Sequence, residues 1–162
     1  MRIIGTFLTF ITFLNYYFRL KYFLKNRKRY FFFPSYATGG ATKVHRDIIK
    51  SFDDDISIVI FCRWSENNKF KSDFYNHASC IELWKISTKN NWYKTIIEDL
   101  IIQNLNSATH KKIVGSNCDF FYNLIQKIEN NNCEIYDIIH GYVNDGINGV
   151  IKWNIDNSNR IH

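Results

Sequence analysis

Proline is nearly missing from this chain, at one residue in 162, and glycine is sparse at seven. A disordered or fibrous polymer is excluded on that ground, because such chains depend on both residues. The four cysteines, Cys62, Cys80, Cys118 and Cys133, form no C-x-x-C pair and have no histidine at zinc-finger spacing. That removes a metal knuckle and a thioredoxin-type redox motif, and leaves reduced, buried thiols of a cytosolic protein. No internal repeat and no linker interrupts the chain, so its length holds one domain, and a two-domain enzyme does not fit. What is abundant is apolar: 46% of residues are hydrophobic and 17% aromatic, enough to bury a core.

Acid is absent from Met1 to Arg46, where nine Lys or Arg stand, so the formal charge of +6 comes from this opening segment and the rest is mildly acidic. A folded surface that wraps nucleic acid carries its basic stripe on the domain itself, so no nucleic-acid partner is expected. Ile3 to Phe18 lacks any charge and is followed by Arg19, Lys21 and the cluster Lys25, Arg27, Lys28, Arg29. The uncharged run is shorter than the ~20 residues that cross a bilayer core. Thr6, Thr9, Thr12 and Asn15 set a weakly polar stripe on an otherwise apolar helix. A secretory signal is disfavoured, since no small-residue cleavage site follows and the positive charge lies after the apolar run. The expectation is a helix over residues 1–28 lying on the inner, cytoplasmic face of a membrane, its basic cluster on anionic headgroups. Two other readings stay open: a helix packed on the domain or on a partner, and a true span ending at Leu24.

From Arg29 onward, short apolar runs alternate with amphipathic ones, the pattern of β-α-β units. Strands are expected at Arg29–Phe33, Ile56–Cys62, Cys80–Trp84, Lys112–Val114 and Ile135–His140. A helix is expected after Gly40 with Ala41, Val44, Ile48, Ile49 and Phe52 inward, and others at Lys71–His77, Asn91–Asn104 and Asp119–Glu129. Val150 to Ile155 reads as a further strand. The fold class is α/β, a Rossmann-like doubly wound parallel sheet over residues 29–162, incomplete at its carboxyl end and preceded by the apolar, basic helix. Ligands of such sheets bind at the carboxyl ends of the strands.

Two glycine-bearing loops fall at that edge. Thr38-Gly39-Gly40-Ala41-Thr42 follows the first strand and opens a helix, so backbone can approach a ligand closely and the helix terminus offers N–H groups and partial positive charge. It is neither G-x-G-x-x-G nor a Walker sequence. Gly115-Ser116-Asn117 follows the fourth strand, and His140 closes the fifth. Asp53-Asp54-Asp55 contains a D-x-D, but it precedes an apolar strand rather than following one, so it reads as a solvated turn and no metal site is expected.

These segments, Phe31-Phe32-Phe33-Pro34 through His45, then Gly115-Ser116-Asn117 with Asp119-Phe120-Phe121-Tyr122, then Asp137-Ile138-Ile139-His140, resemble the N-terminal half of bacterial GT-B glycosyltransferases of the family 4 or family 1 type. The resemblance covers about residues 29 to 145 and is carried by the Gly-Gly-x-x-x-Val-His core. It implies transfer of a sugar from a nucleotide-sugar donor to a glycan or lipid-linked acceptor, as in cell-envelope polysaccharide synthesis, with no further cofactor. It also implies donor and acceptor contacts at Gly39, Gly40, Thr42, Lys43, His45, Gly115, Ser116 and Asn117, with His140 as the catalytic residue. His45 has a second reading, as a helix residue packing on the sheet. Relatives usually carry Glu where Thr42 stands, and they place the nucleotide-sugar contacts, with a paired-glutamate motif, in a second Rossmann domain. No two Glu here have that spacing, so the expectation is an acceptor-binding half that works with a donor domain outside this sequence, in a partner chain or a severed gene. The alternative is a non-catalytic, membrane-associated Rossmann-like binding module. A flavodoxin-like or nucleotide-binding regulator ranks last, because Ser35 to Thr42 is too poor in Ser, Thr and Gly for its phosphate loop.

Overall fold

A computed structural model describes residues 2–52, 56–87, 91–107, 109–129 and 131–138. In chain order these form α1 (Arg2–Leu24), β1 (Arg29–Phe33), α2 (Gly40–Phe52), β2 (Ser57–Phe61), α3 (Lys71–His77), β3 (Ser79–Glu82), α4 (Trp84–Ser87), α5 (Asn91–Leu105), β4 (Lys111–Gly115), α6 (Asp119–Ile125) and β5 (Cys133–Asp137). The five strands make one sheet in the order β3-β2-β1-β4-β5, with every neighbouring pair parallel.

The sheet is covered on both faces, which is why β1 and β2 are continuous apolar runs rather than alternating ones. Every residue of β2 is buried. The strand period of two then sorts side chains between layers. Tyr30 and Phe32 of β1 join α1, α5 and α6 in one core, with Phe13, Leu20, Leu24, Ile97, Ile101 and Phe121. Phe31 and Phe33 join α2 and α3 in the other, with Ile49 and Phe74. Helices on both faces of a parallel sheet make this a Rossmann-like doubly wound fold.

Of the three readings of the opening helix, α1 follows the packed one along its inner face: Phe13, Leu20 and Leu24 are buried in the shared core, and Phe13 stacks on Tyr93 with ring centroids 4.2 Å apart. No helix among the described residues is long and apolar enough to cross a membrane. Asn26, at a φ of 64°, turns the chain out of α1 in the left-handed conformation that Asn tolerates. Beyond it the carboxyl end of the helix is held from three sides. Asn104 Nδ2 donates to the Leu24 carbonyl at 3.3 Å, Tyr30 Oη lies 3.3 Å from the same oxygen, and the buried Lys111 ammonium donates to the Arg27 carbonyl at 3.3 Å. Burial lowers the pKa of Lys111 from the ordinary lysine value.

Several expected boundaries shift. Trp84 leaves β3 to open the short helix α4, β3 begins at Ser79, α6 stops at Ile125 rather than Glu129, and Gly115 is the last residue of β4. In α2 the inward residues are Thr42, His45 and Ile49, whereas Val44 and Phe52 are 44% and 39% exposed. The helix is rotated so that the His45 ring lies flat on Phe33, with centroids 4.0 Å apart and planes 6° apart. The expected strand at 150–155 and the Asp53–Asp55 turn lie outside the described residues.

Candidate functional site

The chain leaves β1 toward β2 and β3 on one side and resumes with β4 on the other, so the strand order reverses between β1 and β4. A crevice opens at such a reversal, at the carboxyl ends of the strands. The register brings Phe33 beside Phe61, Phe32 beside Gly115, Phe61 beside Glu82 and Gly115 beside Asp137. The loops that leave these residues therefore share one edge. Ser116 N–H donates to the Phe32 carbonyl at 3.1 Å, which sets the β4–α6 loop directly against the exit of β1.

The glycines of that edge do different things. A Cβ built on Gly40 meets nothing within 4 Å, and one on Gly39 meets only Thr42 Oγ1 at 3.8 Å, so the opening of α2 faces free space. Lys43 is exposed on the first turn of α2, and its N–H donates to the Gly39 carbonyl at 3.2 Å. A Cβ on Gly115 would lie 2.2 Å from the Phe121 ring. Glycine at 115 lets α6 close on β4, which is a packing role. Gly115→Ala should lower the unfolding free energy by about 3 kcal/mol, the upper end for overpacking, as measured by urea denaturation.

The remaining expected residues divide. Ser116 is fully buried and donates its hydroxyl to the Ile138 carbonyl at 2.9 Å, so it fastens the end of β5 to β4. Asn117 is exposed at the rim, in a left-handed conformation with φ 48°. Thr42 is buried, and His45 follows the packing reading, buried and stacked on Phe33. His140 lies outside the described residues. The structure thus gathers Gly39, Gly40, Lys43 and Asn117 at the open edge and takes Thr42, His45, Gly115 and Ser116 into the body beneath it.

A polar cluster at the same edge escaped the sequence reading. Glu82 ends β3, and its side chain is only 3% exposed. Lys71 Nζ pairs with its Oε1 at 2.7 Å and Lys85 Nζ with its Oε2 at 2.5 Å. Tyr75 and Tyr36 donate their hydroxyls to Oε1 at 3.1 and 3.2 Å. Burial opposes ionisation of this carboxyl, but the hydrogen bonds from Lys71, Lys85 and Tyr75 outweigh it and hold the pKa down at about 2. The signal available in the sequence was an acid inside the apolar run Cys80-Ile81-Glu82-Leu83, since an unpaired charge is not buried there. Because Tyr36 belongs to the β1–α2 loop, Glu82 also anchors that loop.

Cys62 and Cys118 flank the end of β1, after β2 and before α6. The neighbouring Cys62 side chain, with the Phe121 and Phe120 amides, holds the Cys118 thiol below its usual value against the effect of burial. Cys62, by contrast, is pushed well up by burial. Among the described residues no group of three His, Cys, Asp or Glu is placed to hold a metal ion.

Fold and edge together define the class: a Rossmann-like α/β protein whose strand order reverses between β1 and β4. Comparison with protein-family models, curated proteins and solved structures finds no match.

Proposed function

We propose that this chain supplies the acceptor-side wall of a GT-B-type glycosyltransferase, which passes a sugar from a nucleotide-sugar donor to a lipid-linked or polysaccharide acceptor. The observation that carries the reading is the open N-terminus of the 13-residue α2 at the strand-order reversal, with Gly40 unobstructed and the β4–α6 loop alongside. Departure of the donor diphosphate concentrates negative charge. The free N–H groups of the α2 terminus, with the exposed Lys43 ammonium on its first turn, stabilise that charge as it forms. Glu82, through Tyr36, keeps the loop that presents them in one position. In this reading the main nucleotide contacts belong to a second Rossmann domain.

Deleting the coding segment in the native host tests the function. The expected result is accumulation of a glycolipid or glycan intermediate short of one sugar, seen by mass spectrometry of extracted lipids and polysaccharides and reversed by the wild-type chain. A glycan profile unchanged by deletion removes the proposal.

The acceptor side also suggests where the protein works. On the outer face of α1, Ile11, Phe18 and Tyr22 follow one another at helical spacing and are 39%, 62% and 73% exposed, with Arg19, Lys21 and Lys25 exposed among them. An apolar stripe set in basic residues suits the interface of an anionic membrane. The protein should co-sediment with vesicles of phosphatidylcholine and phosphatidylglycerol and stay in solution with phosphatidylcholine alone. Phe18→Ser with Tyr22→Ser should weaken that binding about tenfold or more. Equal binding by the double variant would remove α1 from the membrane contact.

A further inference from the structure

We propose that Arg63 and Trp64, on the connection between β2 and α3, form a subsite for a glycosyl phosphate, with the indole under the sugar ring and the guanidinium on the phosphate. This rests on the sugar-transfer reading and names the chemical class that the crevice rim recognises.

The connection is built onto the β1–α2 loop at alternate residues. Arg63 N–H donates to the Pro34 carbonyl at 2.8 Å, Tyr36 N–H to Ser65 Oγ at 2.9 Å, and both Thr38 N–H and Thr38 Oγ1 approach Asn67 Oδ1 at 3.2 Å. Ser65 is buried by this attachment, while Trp64, between two fastened residues, is 60% exposed. A large apolar ring is thus displayed at the ligand edge on a segment whose backbone is held in place. Such a ring costs little ordering on binding, and its flat face suits the C–H face of a sugar.

Arg63 supplies the complementary charge. Its guanidinium crosses above the end of β1 to Asp119 Oδ2 at 3.0 Å, on the first residue of α6, with side chains 54% and 81% exposed. An ion pair so open to water holds its partner weakly, so a phosphate can take the place of Asp119 and accept two parallel N–H bonds. Arg63 and Trp64 are consecutive, so ring and phosphate must lie close together on the ligand, as they do in a glycosyl phosphate.

The test uses the full chain labelled with nitrogen-15, and follows the Trp64 indole N–H signal, assigned by its absence from the Trp64→Phe spectrum. Glucose 1-phosphate should shift that signal saturably, with affinity about tenfold above that of glucose or of inorganic phosphate. Arg63→Ala should reduce it to the level of glucose, and Asp119→Asn should raise it. Both positions are exposed, so neither change threatens the fold. UDP-glucose and a short-chain polyprenyl diphosphate glucose then separate a donor from an acceptor source by which of them binds more tightly. An indole signal unmoved by every probe, or moved as strongly by inorganic phosphate as by glucose 1-phosphate, overturns the subsite. The sugar-transfer reading fails separately, through an unchanged glycan profile on deletion.

Discussion

Glu82→Ala is expected to lower the unfolding free energy by about 3 kcal/mol, the low end of the range for breaking a buried ion pair. The low end applies because Lys71 and Lys85, at 36% and 49% exposure, can turn to water once their partner is gone. The Tyr36 hydroxyl is less free to do so, because Tyr36 is buried, and losing its acceptor adds to the cost. Glu82→Gln isolates the charge. The folded carboxyl titrates near 2 against an ordinary value of 4.5, so between these values the unfolded chain binds the extra proton. The stabilisation is therefore complete above about pH 4.5 and fades as the pH falls toward 2. Denaturant midpoints of wild type and Glu82→Gln should converge across that window. Curves that stay parallel from pH 6 to 2 would show that Glu82 does not carry this charge.

Gly40→Val should abolish glycan complementation, a loss on the order of 10²-fold in transfer, with thermal stability unchanged. The two halves of this expectation have separate causes. The fold tolerates valine because nothing lies within 4 Å of the new Cβ and glycine is itself a poor helix residue. On the sugar-transfer proposal, transfer is lost because that same free space is where the ligand would approach the α2 terminus. Gly115→Ala should give the reverse, a destabilised protein whose open edge is intact. Complementation by Gly40→Val at the wild-type level, with equal protein abundance, would take the loop out of the site.

How much of this could be read beforehand differs from element to element. β1 and α3 have the expected boundaries, Arg29–Phe33 and Lys71–His77, and Pro34, which has no N–H to extend a ladder, closes β1. The rotation of α2 was not legible. Val44 and Phe52 carry the helical apolar period as well as Ile49 does, but a flat aromatic surface on Phe33 selects the imidazole of His45 instead. The glycine pattern gave two loops of similar look, and only the position of Phe121 separates the packing glycine from the open one. The Glu82 cluster draws on residues from 36 to 85, a span over which no local spacing rule operates.

What the sequence determined by itself was the class of fold and the loops that share the carboxyl edge of the sheet, since hydrophobic period and turn residues act over a few neighbours and fix strands, helices and their alternation. Which side chains occupy that edge was decided by tertiary structure, because it depends on how far each helix rotates against the sheet and on which loops are hydrogen-bonded to one another. Gly40 and Trp64 are left at the rim, and Gly115 and His45 are drawn below it, by contacts between residues distant in the chain.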